Sequence, residues 1–229
     1  MGHTVICRRL SKTYHQDAIA VRALSEVDLD VPKGDFVCLS GPSGSGKTTL
    51  LNLIGGLDAP TSGEITVDGQ RVDLMTQAQL ATMRLKHLGF VFQAYNLIPV
   101  LTGQENVEFV MQLQGIGRKE RRARAQAILK EVGLERLENR RPAKLSGGQQ
   151  QRVAVARAIV SGPSLVLADE PTANLDSENG EMLLELMGRM NQEHGVTFII
   201  ATHEQLVMDH ARRLIHLHDG RIVSDELQR

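Results

Sequence analysis

The sequence predicts an α/β fold built on a mostly parallel sheet, and three observations predict it. Phe36–Ser40, Leu165–Asp169 and Val196–Ala201 are short, almost continuous apolar runs, as buried central strands require. Apolar residues at helical spacing lie between the last two runs, at Leu183, Leu186, Met187 and Met190. Strand–helix–strand order of this kind is typical of a right-handed crossover between parallel strands.

The N-terminal part of the chain predicts an antiparallel β subdomain. Val27–Val31 alternates apolar and polar residues, as a half-buried strand does. Glu64–Val67 is a second strand, and Asp68-Gly69 after it is typical of a hairpin turn. A helix should follow Thr48, because apolar residues recur at Leu50, Leu53, Ile54 and Leu57. Gly89–Phe92 predicts a further short strand.

A helical insertion interrupts this core. Gln104–Gln114 and Arg118–Val132 predict two helices, and a third begins near Gly148 and stops at Ser161-Gly162-Pro163. Leu214–Val223 predicts a C-terminal hairpin. We therefore predict one domain over residues 1–229, with the core and β subdomain at 1–93 and 156–229 and the helical subdomain at 94–155.

Charge and aromatic content argue against nucleic-acid binding. The 26 basic and 27 acidic residues give a net charge of -1, whereas proteins that grip the DNA backbone usually carry a basic excess. Aromatic residues make up 3% of the chain and Trp is absent, so a stacking platform for single strands is not expected. The basic run Arg118–Arg124 is either a solvated helix face or a docking surface for lipid headgroups or a partner.

The chain carries no segment that predicts secretion or membrane insertion. Met1–Leu10 does not resemble a signal peptide, and no window approaches the roughly 18 apolar residues that cross a bilayer. We therefore expect a cytoplasmic protein that would need another chain as a membrane path. Cys7 and Cys38 show no metal-ligand spacing and are expected to be buried free thiols.

Gly41–Thr48 matches the phosphate-binding pattern G-x-x-x-x-G-K-[ST], with an apolar strand before it and an amphipathic helix after it. Its glycines let consecutive backbone N–H groups surround an anion. Lys47 adds a charge for the β- and γ-phosphates, and Thr48 offers a hydroxyl to Mg²⁺. The predicted nucleotide-binding residues are Gly41, Pro42, Ser43, Gly44, Ser45, Gly46, Lys47, Thr48 and Thr49. The alternative is a glycine-rich turn, and the loop alone indicates only a nucleoside triphosphate.

Two carboxylates, Asp169 and Glu170, follow a buried strand, where open α/β sheets place their ligands. Adjacent residues on a strand point to different sides, so two separate roles are expected. Asp169 is suited to Mg²⁺, and Glu170 to orienting an attacking water. The alternative is a pair of acidic residues that caps the strand at the surface.

A second anion-binding helix start is predicted at Leu145-Ser-Gly-Gly-Gln149, which offers backbone N–H groups and a hydroxyl. A single chain would have to fold both helix starts onto one nucleotide. A two-fold dimer can instead bring one start from each subunit.

This segment, followed by Gln150–Val160, resembles the signature of the ATP-binding cassette (ABC) family, and the resemblance extends over essentially the whole chain. Gln93 resembles the family's Q-loop glutamine, and Ala173–Asp176 resembles its D-loop. His203 resembles the switch histidine, and Tyr14 the aromatic residue that stacks on adenine. The fold implied is a P-loop NTPase core with an antiparallel β subdomain and an inserted helical subdomain.

The resemblance implies an ATPase that works as a pair and takes ATP and Mg²⁺ as cofactors. Each ATP would contact the phosphate loop of one copy and the signature of the other, and Asp176 would couple the two sites. The residues implied as catalytic are Glu170, His203 and Gln93. Those implied to hold the metal are Thr48, Gln93 and Asp169. Nucleotide contacts beyond the phosphate loop are implied for Tyr14, Ser146, Gly147, Gly148, Gln149 and Asp176.

The implied partner is an integral membrane permease. Asn96–Thr102 and Glu105–Val107 resemble the branch that contains lipoprotein-release and macrolide-export ATPases. A helix of the permease would enter a groove between core and helical insertion, lined by residues around Gln93–Thr102. The chain would then sit on the cytoplasmic face of the inner (plasma) membrane.

Simpler interpretations of single residues stay open. Gln93 could be a polar loop residue, His203 a hydrogen-bonded strand-end histidine, and Tyr14 a surface side chain packed on a strand. His216 and His218 alternate on one strand but lack a third ligand, which favours hairpin residues over a metal pair.

Two other functions compete with transport. A soluble ABC ATPase could act on DNA or ribosomes, although about a hundred residues between Lys47 and Leu145 leave no room for a long coiled coil. A regulatory module could bind ATP without turnover, although Gln93, Glu170 and His203 are all present.

Overall fold

The computed structural model describes residues 2–16 and 19–228, which form ten strands and seven α-helices. The strands are β1 (His3–Gln16), β2 (Ile19–Pro32), β3 (Phe36–Ser40), β4 (Ser62–Val67), β5 (Gln70–Arg71), β6 (Leu88–Phe92), β7 (Leu165–Asp169), β8 (Thr197–Thr202), β9 (Arg213–His218) and β10 (Arg221–Leu227). The helices are α1 (Lys47–Ile54), α2 (Gln77–His87), α3 (Gly103–Leu113), α4 (Arg118–Glu131), α5 (Gly147–Ile159), α6 (Ser177–His194) and α7 (Gln205–His210). The predicted domain ends, Met1 and Arg229, lie outside the described residues.

The central sheet has six strands in the order β10-β9-β3-β8-β7-β6. Every pairing from β9 to β6 is parallel, and only β10 is antiparallel. The register places Ser40 opposite Thr202 and Phe92 opposite Asp169. The carboxyl ends of β3, β8, β7 and β6 therefore meet along one edge, which confirms the predicted parallel core.

A second sheet, in the order β2-β1-β4-β5, is antiparallel throughout and confirms the predicted β subdomain. Asp68 and Gly69 both have positive φ between β4 and β5, as a tight hairpin turn requires. The 14-residue length of β1 and β2 was not predicted from the sequence. Their pairing contains register shifts, and such irregularities interrupt the alternation that reveals a strand.

The two faces of the central sheet belong to two separate cores. Val37 and Leu39 pack with α1 and the antiparallel sheet, whereas Phe36 and Cys38 pack with the helices on the other side. Alternate residues of β3 thus serve opposite cores, which is why the strand has no polar face. Burial raises the pKa of the Cys7 and Cys38 thiols to about 12, and both cysteines are free, as expected.

Helix α1 differs from its prediction. The helix ends at Ile54, and Gly56 adopts a left-handed conformation with φ of 60°. Leu57 therefore lies beyond the helix and is 49% exposed, so its assignment to the buried helical stripe was wrong. Helix α2 was not predicted, because its buried residues are only Leu80 and Met83 and its apolar periodicity is weak.

Helices α3, α4 and α5 form the predicted helical layer, and α5 also packs on β6 of the core. Because α5 is continuous from Gly147 to Ile159, it crosses the predicted subdomain boundary at 155/156. Among the described residues, no helix combines the length and apolar character needed to cross a membrane. The contact between α5 and β6 is close at Gly89, where an added β-carbon would lie 2.3 Å from the Ala158 carbonyl oxygen.

We expect Gly89→Ala to lower the free energy of unfolding by about 1–3 kcal/mol, because the methyl group overlaps backbone that moves only if α5 moves. The matched control is Gly188→Ala in α6, where an added β-carbon meets no atom within 4 Å. That variant should be more stable than the parent by up to about 1 kcal/mol, since Ala is the better helix former. Urea unfolding measures both, and equal stabilities would contradict the close packing.

Candidate functional site

The predicted phosphate loop lies between the carboxyl end of β3 and the start of α1 and forms one wall of a cavity of about 490 Å³. The predicted residues Gln93, Glu170 and His203 line the same cavity. The loop residues that line it are Pro42, Ser43, Gly44, Gly46, Lys47, Thr48 and Thr49. The structure therefore gathers at one place side chains from four separate parts of the sequence.

Two glycines are needed for the shape of the loop. Gly41 has a φ of 146°, and a β-carbon there would lie 2.2 Å from the Leu217 carbonyl oxygen. Gly46 has a φ of 105°, and a β-carbon there would lie 2.6 Å from the Ala23 carbonyl oxygen. Side chains at either position would push the loop away from the sheet.

The donors at this wall of the cavity suit an anion. Gly46 gives α1 no side-chain cap, and its first turn holds no acidic residue. The first N–H groups of a helix have no partner within the helix, so they are available to an anion here. The Lys47 ammonium is buried and donates to the carbonyl oxygens of Gly41 at 2.7 Å and Pro42 at 3.0 Å. These partners hold the ammonium at the loop.

Asp169 and Thr48 supply the hard oxygen ligands that Mg²⁺ prefers. The Thr48 hydroxyl donates to Asp169 Oδ1 at 3.3 Å. Burial raises the pKa of the Asp169 carboxyl, and the neighbouring Glu170 carboxylate adds to the rise against the opposing effects of Thr48 and Lys47. A carboxylate that is costly to ionise without a cation nearby fits a cation-binding role.

Glu170 has different partners from Asp169, but not for the predicted reason: β7 ends at Asp169, so Glu170 lies beyond the strand and the alternation of strand side chains does not set its direction. Its φ is 46°, a left-handed conformation that is uncommon outside glycine. One carboxylate oxygen accepts from the Thr202 hydroxyl at 2.9 Å, and the other lies 2.8 Å from His203 Nδ1. Glu170 and His203 therefore act as one hydrogen-bonded unit at the cavity. Thr202 was not predicted, although it ends the apolar run of β8 where a ligand-facing polar residue is expected.

Gln93 follows directly after β6. Its carbonyl oxygen accepts from Asn174 Nδ2 at 2.8 Å, which joins this segment to the Ala173–Asp176 loop. Phe92 lies opposite Asp169 in the sheet, so Gln93 starts level with the acidic pair.

The predicted signature residues Ser146, Gly147, Gly148 and Gln149 do not line the cavity of their own chain. Ser146 caps α5: its hydroxyl accepts from the Gln149 backbone, and the Gln149 side chain accepts from the Ser146 backbone. Asp176 lies outside the cavity as well and caps α6 through the Asn179 N–H at 2.9 Å. That backbone hydrogen bond from Asn179 lowers the pKa of the Asp176 carboxyl.

Tyr14 also lies outside the cavity lining and is 40% exposed. Its hydroxyl donates to Asp58 Oδ2 at 2.9 Å, and the Lys12 ammonium lies 4.8 Å from the centre of its ring. His216 and His218 belong to β9 of the C-terminal hairpin, and His216 Nδ1 lies 3.0 Å from the Ser40 hydroxyl.

A separate groove of about 610 Å³ lies between α2, β6, α3 and α5. Its lining is mainly apolar and includes the exposed side chains of Leu57 and Leu113. Two guanidinium groups, Arg84 and Arg157, line it too, and no carboxylate of the described residues forms an ion pair with either. Burial lowers the pKa of Arg157. Of the predicted lining 93–102, only Asn96 borders this groove.

Comparison with known proteins gives consistent matches. The family model for ABC transporter sequences matches residues 24–173. The chain is 47% identical over 220 residues to the macrolide export ATP-binding/permease protein MacB of Brucella melitensis, covering 96% of this chain and 34% of that one. It thus spans about a third of the length of that relative. It is 48% identical to the ABC transporter ATP-binding protein YtrE of Bacillus subtilis, covering 87% of both chains.

Solved structures agree. The chain superposes with a TM-score of 0.91 on the dimeric post-hydrolysis structure of the ATP-binding cassette MJ0796 bound to ADP and Pi. That chain is 43% identical, with 98% of this chain and 99% of that one covered. MJ0796 is a protein of Methanocaldococcus jannaschii.

We expect Asp169→Asn to stabilise the nucleotide-free protein at neutral pH. The folded pKa of Asp169 lies above its ordinary value, so at pH 7 the native carboxylate is charged at a cost that the unfolded chain does not bear. The stability gained by Asp169→Asn should fall as the pH is lowered through the folded pKa, and it should vanish below about pH 3.9, where the carboxyl is protonated in both the folded and the unfolded state. Thermal unfolding of parent and variant at several pH values measures this difference.

Asp176→Asn is the control, because the Asp176 pKa is displaced downward. Its carboxylate favours the folded state above the ordinary pKa, so this variant should be less stable at neutral pH, and the difference should disappear in acid. The same sign for both variants would contradict the electrostatic account.

Proposed function

The chain belongs to the ABC transporter family, and from this premise we propose that it binds and hydrolyses Mg-ATP as the energy-coupling subunit of a membrane permease complex. The observation that carries the proposal is the single cavity that combines the phosphate loop with Gln93, Glu170 and His203. An anion-binding loop alone would support only nucleotide binding. Glu170 after β7 and His203 after β8 add the groups that hydrolysis needs to orient a water and to contact the γ-phosphate.

The side chains divide the chemistry between them. The uncapped start of α1 and Lys47 hold the phosphates, and Thr48, Asp169 and Gln93 hold Mg²⁺, which supplies charge neutralisation when bound. Glu170 orients the attacking water, and the His203 ring beside it contacts the γ-phosphate. The Thr202 hydroxyl holds the Glu170 carboxylate in place by donating to Oε2, the oxygen that does not contact His203. Tyr14 contacts the base.

Two copies complete the site. Ser146–Gln149 lies outside the cavity of its own chain, so we propose that these residues reach the nucleotide of a second copy. MJ0796, which superposes over nearly its whole length, is described as a dimer. Asp176 then couples the two sites across the interface. Phosphate held between two copies favours the closed pair, and its release loosens it.

The permease partner is proposed from the groove and from the relatives. MacB is described as an ATP-binding/permease protein, and YtrE as an ABC transporter ATP-binding protein. The groove between α2, β6, α3 and α5 has the apolar lining that receives an amphipathic helix. Its two guanidinium groups donate to backbone carbonyl oxygens but form no ion pair with a described carboxylate, which favours a helix that carries a carboxylate. The chain would lie at the cytoplasmic face of the inner (plasma) membrane through this contact.

A soluble ABC ATPase acting on DNA or ribosomes is the second candidate function. It needs no groove partner, whereas the apolar side chains of Leu57 and Leu113 are 49% and 58% exposed at the groove. Purification of the tagged protein from solubilised membranes distinguishes the two functions. Recovery of an integral membrane protein supports the permease complex, and recovery of ribosomes or DNA alone rejects it.

We expect Glu170→Gln to retain ATP binding, to lower kcat by about 100-fold or more and to accumulate a dimer with Mg-ATP, because the amide cannot polarise the water. Lys47→Ala is the contrasting variant and should weaken ATP binding itself. Size exclusion with and without Mg-ATP, together with a fluorescent nucleotide titration, separates the two. A Glu170→Gln protein that stays monomeric at saturating Mg-ATP would reject the paired site.

We expect Leu113→Glu to abolish capture of the permease and leave the ATPase rate of the isolated subunit unchanged, because the charge enters the apolar groove but not the cavity. The matched control is Leu74→Glu, since Leu74 is 72% exposed and borders neither the groove nor the cavity. Co-purification from membranes measures the difference. Equal recovery with both variants would show that the permease docks elsewhere.

A further inference from the structure

One buried side chain bridges the two strand ends that carry the proposed catalytic residues. Gln151, in the second turn of α5, has no exposed surface. Its Nε2 donates to the Pro171 carbonyl oxygen at 2.7 Å and to the Phe92 carbonyl oxygen at 3.4 Å. Pro171 follows Glu170, and Phe92 precedes Gln93. A single amide therefore contacts the chain one residue away from each of two cavity residues.

The orientation of this amide is fixed by its partners. Nε2 carries two hydrogens, and the two carbonyl oxygens use both. The opposite orientation would point Oε1 at two acceptors. In the observed orientation Oε1 is buried and has no hydrogen-bond partner among the described residues.

That unpartnered acceptor argues against a purely packing role for Gln151. A buried oxygen without a partner costs free energy, whereas an apolar side chain of similar shape, such as Met, would fill the same space without it. The glutamine therefore costs the fold stability that an apolar side chain would not cost. The two carbonyl contacts are what a methionine could not supply.

Other contacts of the same region make the bridge part of a larger connection. Arg157, two turns further along α5, donates through Nη2 to the Tyr95 carbonyl oxygen at 2.9 Å. Asn174 donates to the Gln93 carbonyl oxygen. Arg157 also donates through Nη1 to the Asn96 carbonyl oxygen, so four carbonyl groups between Phe92 and Asn96 accept from side chains. Three of the four accept from α5. Gln151 is the member that also reaches the segment after Glu170.

We propose that Gln151 is a positioning residue that sets the separation of Gln93 and Glu170 and ties both to α5. The inference rests on the proposed ATPase function, because it assigns Gln151 a part in that reaction without contact to the nucleotide. Since Ser146 begins the same helix, a displacement of α5 moves the signature and both strand ends together.

The test compares Gln151→Met with Gln150→Met. Gln150 is the adjacent glutamine, is partly exposed and donates only to the Leu145 carbonyl oxygen of its own helix start. Removing the bridge should let Gln93 and Glu170 move relative to each other, and small misplacements of reacting groups cost up to about 100-fold in rate. We expect Gln151→Met to lower kcat by about 10- to 100-fold with nucleotide affinity unchanged, and Gln150→Met to match the parent protein.

Hydrogen exchange of the nucleotide-free protein gives a readout that does not depend on activity. We expect amides in 93–97 and 171–175 to exchange about tenfold faster in Gln151→Met, because two hydrogen bonds that close these segments are lost. Thermal unfolding should show little loss or a gain, since the unpartnered oxygen is removed. If Gln151→Met does not fold, Gln151→Asn keeps the amide but withdraws it by one methylene, and the same pattern is expected.

Parent-like kcat and parent-like exchange in Gln151→Met would overturn the inference, as would equal losses in the Gln150→Met control. A parent protein that does not hydrolyse Mg-ATP would instead reject the proposed function. The exchange comparison would still decide whether Gln151 holds the two strand ends.

Discussion

The backbone hydrogen bonds that keep β9, β3, β8, β7 and β6 in parallel register are the interaction on which the site depends. They bring Ser40, Thr202, Asp169 and Phe92 to one edge, although these residues are up to 162 positions apart in the sequence. The residues that directly follow three of these strand ends, Gln93, Glu170 and His203, line the same cavity. Both faces of the sheet are covered by apolar cores, so the polar side chains of the site lie at this edge.

Sequence reasoning succeeded where the burial or backbone contacts of a segment determine its amino-acid composition directly. The runs Phe36–Ser40 and Leu165–Asp169 are apolar because their alternate residues enter two different cores, and that composition is visible without a structure. The phosphate loop is recognisable because Gly41 and Gly46 are required by backbone contacts that exclude any β-carbon. The acidic pair at the end of β7 could likewise be predicted from the edge of a parallel sheet, whereas Gln93 and His203 were implied by the family resemblance.

Sequence reasoning failed where the structure of a segment depends on tertiary contacts or where the local sequence pattern is weak. Leu57 continues a helical stripe in the sequence, but Gly55 and Gly56 end the helix before it. The groove was predicted along 93–102, yet its walls come from α2, β6, α3 and α5, so only Asn96 of that segment borders it. Gln151 looks like one of three equivalent glutamines, and only the fold shows which one faces the strand ends.

The capping pair at Ser146 and Gln149 satisfies two backbone N–H groups at the start of α5 with groups of its own chain. The remaining N–H groups of the first helical turn have no partner within the helix and stay available to a ligand. Free N–H groups at a helix start favour a negative charge over a neutral surface, so a second copy gains most from this contact when a phosphate lies between the two. Gln149 and Gln151 of this helix therefore differ in place and in contact: one caps the helix start at the surface, and the other bridges two strand ends in the interior.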